Sequence, residues 1–214
     1  MTKNIFTFFV LILLLSGCQS AYYSAMEKVG THKRDILIDR VEDATTSQEE
    51  AKEEFISALE QLSQLIAFDG GELQSQYELS KQSYDDSKEA ADDVSARIAS
   101  IEHVAEALFD EWRDEIEQYT SATLKHQSRR QMNNTEKRYL AVIKAMHKAE
   151  AKMPPILSAL KDNMLYLKHN LNAKAIGALK DEYKIIKQDI DRLIIQMNQS
   201  IEDSKTFINT LKSS

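Results

Sequence analysis

The chain has 214 residues, among them 5 Gly, 2 Pro and 1 Cys, with 27 basic and 34 acidic side chains and a formal net charge of −7. Gly and Pro make up about 3% of the chain against a usual level near 12%, which excludes sandwiches, barrels and α/β folds that need frequent turn residues. Apolar residues at 43% allow a packed core, the single Cys excludes an intrachain disulfide or a multi-thiolate metal site, and the negative charge argues against nucleic acid as a partner.

The first element is a leader. Lys3 supplies a minimal basic start, and Ile5 to Leu15 is apolar apart from Thr7. That stretch is too short to span a bilayer, which takes roughly 20 apolar residues, so it reads as the hydrophobic region of a signal peptide. It runs into Leu15-Ser16-Gly17-Cys18, which resembles the bacterial lipobox. The resemblance implies cleavage before Cys18 and a diacylglyceryl group on its thiol. The alternative is ordinary secretory cleavage that leaves the thiol free. Residues 1–17 are therefore expected to form a signal peptide and residues 18–214 one elongated helical-bundle domain.

A lipoprotein N-terminus resembles the multiply acylated case that anchors stably to a membrane. Gln19 follows the Cys, and it does not resemble the Asp that retains enterobacterial lipoproteins in the inner membrane. The expected location is the periplasmic face of the outer membrane, with the membrane itself a partner through the lipid. Loss of Lys3 leaves 26 basic and 34 acidic side chains, a net charge of −8.

Residues 20–36 look helical, with a local unwinding expected near Gly30 to Arg34 because the apolar register slips there. Four long apolar stripes follow on alternating spacings of three and four, the signature of one helix face. The first runs through Leu37, Val41, Ala44, Gln48, Ala51, Phe55, Ala58, Leu62 and Leu65, and stops at Gly70-Gly71. The second runs from Leu73 through Ala91, Val94, Ile98, Ala105 and Trp112 to Tyr119 and Ala122. Polar residues 126–134 fit a helix corner. The third stripe, from Met132 to Leu167, contains Pro154-Pro155, where the missing N–H and the restriction on the preceding residue must kink or restart the helix. Asn170 to Asn172 forms another corner, with Asn172 a fitting N-cap, and the fourth stripe runs from Ile176 to Leu211.

Apolar neighbours such as Leu59, Phe109, Ile116, Leu157 and Ile194 widen the stripes beyond a two-stranded seam. The expected fold is all-α: an elongated antiparallel bundle or coiled coil of about four long helices, with helix 3 kinked at Pro154-Pro155. Up-down-up-down order places the lipidated N-terminus, the helix 2–3 corner and the C-terminus at one end.

Several stretches together resemble one bacterial family: Ala21 to Gly30 (AYYSAMEKVG), Phe68-Asp69-Gly70-Gly71, Val104 to Trp112 (VAEALFDEW), Ala149 to Leu157 (AEAKMPPIL) and Leu167 to Ala173 (LKHNLNA). The chain is similar over about residues 20–210 to the bacterial lipoprotein family of domain of unknown function 2959. That resemblance brings relatives and no activity.

The chemistry points away from an enzyme. The five Gly residues supply neither G-x-x-x-x-G-K-[ST] nor G-x-G-x-x-G, and neither G-x-S-x-G nor H-E-x-x-H is present. Di-iron bundles need Glu-x-x-His pairs, whereas Val29, Ser100, Thr123, Lys144 and Tyr166 stand three before the five His residues. No catalytic residue, cofactor, metal or small-molecule substrate is expected. Carboxylates surround Trp112 (Asp110, Glu111, Asp114, Glu115, Glu117) and cluster between Asp85 and Asp93. They read as a solvated face, or as weak cation binding or an acidic docking face. Glu115 falls on the stripe, so either it is an ion-paired register device or the stripe passes to Ile116. Gln48, Thr135 and Asn163 on stripes either fix helix pairing or touch water. Lys168-His169-Asn170 reads as helix C-terminal charge or as a binding site.

The stretch from Lys125 to Arg138 holds Lys125, Arg129, Arg130, Lys137 and Arg138 against Glu136 alone. At the anchored end these five would face anionic headgroups, each attracted by about 1 kcal/mol; otherwise they solubilise a corner. The function expected is non-enzymatic: a lipid-anchored periplasmic bundle acting as an envelope spacer or protein-docking scaffold, with a protein partner. The alternative is a periplasmic bundle that senses or binds a small molecule.

Overall fold

The computed structural model describes residues 32–68, 73–170 and 173–213. Of these, 94% are helical and none is in a strand. The elements are α1 (Lys33–Ile66), α2 (Leu73–Gln118), α3 (Ala122–Glu150), α4 (Met153–His169) and α5 (Ala173–Lys212). At 1.5 Å per residue the 46 residues of α2 extend about 69 Å, so the bundle is a rod.

Each helix follows its apolar stripe. All nine positions of the first stripe are buried, and Leu37, Val41, Ala44, Ala51 and Phe55 are completely shielded. Helix α1 packs on α2 and α5; α3 and α4 pack against α2 and α5 on the opposite side. One continuous core results, running from Ile36 and Phe109 through Val94, Met146 and Ile190 to Leu65 and Leu167. Burial of the stripes holds the rod together, since isolated helices gain little from propensity alone.

Helices α3 and α4 form one column, bent by 15° at Ala151-Lys152. Pro154 and Pro155 occupy the first turn of α4, where a missing N–H costs no intrahelical bond. The core spacing Met146, Ala149, Met153, Ile156 continues unbroken through the bend. The kink therefore redirects the column without turning its apolar face away from the core.

The helix 2–3 corner differs from the sequence expectation. It lies at residues 119–121, and residues 126–134 are helical. The Ser121 side chain caps α3 by accepting a hydrogen bond from the Leu124 N–H at 3.4 Å. The polar run is the outward face of α3: Asn133 and Asn134 are exposed while Met132 and Thr135 are buried. Tyr119 and Ala122, expected on the core stripe, lie at this corner and are exposed. Helix α1 ends at Ile66. The Gly70-Gly71 turn, the Asn172 cap, the leader and Cys18 lie outside the described residues, as do residues 30–31 of the unwinding expected over Gly30 to Arg34, whereas Lys33 and Arg34 are already helical as the first turn of α1.

Candidate functional site

Chain order and length bring four helix ends together at what we call the proximal end: the start of α1, the end of α2, the start of α3 and the end of α5. They enclose a hollow of about 170 Å³. Arg34 lines it from α1, Leu108, Glu111, Trp112 and Glu115 from α2, Gln131 and Thr135 from α3, and Leu211 from α5. Trp112 is half-buried, and its Nε1–H donates to Ser128 Oγ at 3.0 Å, which fixes the indole. Lys33 Nζ lies 3.0 Å from Glu111 Oε1 and ties α1 to α2 beside the hollow.

The sequence-selected basic residues all stand on α3, most of them engaged in pairing. Lys125 Nζ and Arg129 Nη2 each lie 2.7 Å from the Glu117 carboxylate of α2. These two cations hold the Glu117 carboxyl below its ordinary range, the Lys125 hydrogen bond contributing most. Arg138 Nη1 donates to Thr210 Oγ1 of α5 at 3.0 Å. Arg130 and Lys137 are exposed and have no ion pair among the described residues. The same end carries further acid in Asp110 and Glu136, both paired with Arg113. Of the acidic residues around Trp112, Glu111 and Glu117 pair across helices and Asp110 pairs within α2.

The stripe passes to Ile116, which is buried, while Glu115 is exposed and turned to the hollow. Gln48, Thr135 and Asn163 are all buried rather than edge positions. Asn163 Nδ2 donates to the Ala159 carbonyl at 2.9 Å, whereas neither the amide nitrogen nor the amide oxygen of Gln48 has a partner. Lys168 and His169 occupy the last turn of α4, where cations complement the helix dipole.

Carboxylates of α1 and α2 meet along a second groove, lined by Glu50, Glu54, Asp86, Glu89, Asp92 and Asp93. Asp92 pairs with Lys88, and Asp93 with Arg97 and the Ser47 hydroxyl. Among the described residues no group of three or more His, Cys, Asp and Glu converges as a metal site, and no helix is long and apolar enough to cross a membrane.

On α2 and α3, Phe109 and Tyr139 pack with their rings tilted by 50° and their centroids 5.6 Å apart. Burial, with Glu102 and Glu106 adding, pushes the Tyr139 phenol up to about 12. Sequence reading missed the hollow, the Glu117 clamp and the His147 contacts with Glu102 and Glu150. The one available signal was Glu115 on the stripe beside Trp112.

Fold and site together define an all-α, elongated helical bundle with a charge-paired proximal end. The family model described as protein of unknown function (DUF2959) matches residues 22–211. The chain belongs to that family. No curated protein matches it.

Proposed function

We propose that the protein is a non-enzymatic, lipid-anchored helical rod that acts as a spacer or docking scaffold in the bacterial envelope. The observation that carries this reading is the filled core. Apolar side chains with little or no exposure run along the whole described length, and the concavities seen among the described residues open at the surface: the proximal one holds about 170 Å³ and wider grooves about 430–630 Å³. A drug-sized ligand ordinarily has most of its surface buried, which wide surface grooves do not provide. A packed column instead transmits length and presents surface.

The lipobox-like Leu15-Ser16-Gly17-Cys18 supplies the anchor in this reading, and the proximal end is the one tethered to it, since α1 begins 15 residues after Cys18, at most about 50 Å of extended chain. The distal end, formed by the end of α1 and the α4–α5 corner, would then be held roughly 60–70 Å from the bilayer if the rod stands upright. Crosslinking in intact cells tests this. A photoreactive residue at exposed distal positions such as Leu79 or Tyr166 should give a discrete protein adduct that is lost when Cys18→Ala detaches the rod. The same adduct from the detached protein, or none at any distal or flank position, would contradict the scaffold.

A further inference from the structure

The proximal hollow carries two charges that do not pair. Arg34 and Glu115 both line it, yet among the described residues neither forms an ion pair, and the side chains of Gln131 and Thr135 make no hydrogen bond there either. Beside the hollow, by contrast, Lys33 and Glu111 do close on each other at 3.0 Å. Four uncommitted polar side chains from three helices therefore converge beside an indole whose own N–H is already satisfied by Ser128. A few convergent polar groups in a partly apolar concavity are what a small-molecule site consists of.

We propose that this hollow binds a small zwitterion, a molecule with one carboxylate and one ammonium, of the α-amino acid or betaine class. Each group has a counterpart. The Arg34 guanidinium offers a planar pair of donors to a carboxylate. Glu115 neutralises an ammonium, and the Trp112 face adds cation–π attraction. Leu108 and Leu211 meet the apolar part of the molecule. Gln131 and Thr135 give neutral hydrogen bonds to whichever charged group lies nearer. The volume of about 170 Å³ corresponds to roughly six waters, which suits an amino acid. This inference goes beyond the scaffold reading and does not rest on it. Because α1, α2, α3 and α5 all contribute lining, an occupant would tie the four ends together.

The chain contains one Trp, so Trp112 emission reports occupancy directly. The full chain is titrated with the standard amino acids and glycine betaine, and with isobutyrate and isobutylamine as single-charge controls. At least one zwitterion should give a saturable emission change at micromolar to millimolar concentration. Arg34→Gln and Glu115→Gln should each weaken that binding about tenfold or more, and the single-charge compounds should bind correspondingly worse. Circular dichroism verifies folding; should Arg34→Gln not fold, Glu115→Gln and the single-charge controls decide. No saturable change with any zwitterion, wild-type affinity in a folded variant, or equal binding of the single-charge compounds would overturn the proposal.

Discussion

His147 of α3 and Glu102 of α2 face each other across the seam between their helices, with Nε2 2.9 Å from Oε1. The other ring nitrogen, Nδ1, lies 2.8 Å from Glu150 Oε2. Two carboxylates call for two N–H donors, which only the imidazolium provides. The Glu102 hydrogen bond raises the His147 pKa above 6.5, burial opposes it, and Glu150 adds to it. A raised folded-state pKa gives stability that is complete below the unfolded pKa and lost as pH rises through the folded one. The His147 side chain is 45% exposed, so solvent screening holds the effect to about 0.5 kcal/mol or less. Denaturation of wild type and His147→Gln at several pH values should show a difference that is largest at mildly acidic pH and vanishes in alkaline buffer. A difference that grows with pH would contradict the imidazolium assignment.

Gln48 is completely buried in the core face of α1 with both amide atoms unpartnered. An unsatisfied buried amide costs more than an apolar group of the same shape. Gln48→Leu should therefore stabilise the fold by about 1–2 kcal/mol, read as a higher denaturation midpoint with an unchanged slope. A destabilised Gln48→Leu variant would mean that the amide is satisfied in solution.

Phe55 and Trp112 should separate under alanine substitution. Phe55 is completely buried, and Phe55→Ala should cost about 3–5 kcal/mol. Trp112 is half-buried at the rod's end with its N–H on Ser128, so Trp112→Ala should cost less, about 2–3 kcal/mol. Trp112→Phe and Ser128→Ala should be non-additive in a double-mutant cycle, because they remove the same bond. Strict additivity would show that the bond contributes nothing in solution.

The columns of the rod were legible because burial follows a period that sequence displays. Positions from Leu37 to Leu65, Met132 to Leu167 and Ile176 to Leu211 lie against the core nearly without exception, and Pro154-Pro155 announced the bend through backbone chemistry. The corner at residues 119–121 was not legible, since Tyr119-Thr120-Ser121 contains neither Gly nor Pro and only Ser121 signals a cap. Asn133 and Asn134 misled for the same reason: a polar run on a helix exterior has the composition of a loop. The Glu117 contacts with Lys125 and Arg129 depend on how α2 and α3 are set against each other across that corner, which no single-helix pattern records.

Pairing also redistributes the basic stretch. Arg130 and Lys137 are the members without an ion pair or a side-chain hydrogen bond among the described residues, so they should dominate any attraction to anionic lipid. On vesicles rich in phosphatidylglycerol at low salt, protein lacking the lipid should bind more weakly after Arg130→Ala/Lys137→Ala than after Lys125→Ala/Arg129→Ala. The difference should fade at high salt, where screening shortens the reach of exposed charge. Equal binding by both variants would reduce these residues to solubilising charge.

Metabolic labelling with palmitate tests the proposed lipid anchor at Cys18 most directly. Wild-type protein should take up label and sediment with the outer membrane. Cys18→Ala should take up none and appear as unprocessed precursor or soluble periplasmic protein. Label that persists in Cys18→Ala, or that never enters the wild type, would contradict the anchored rod.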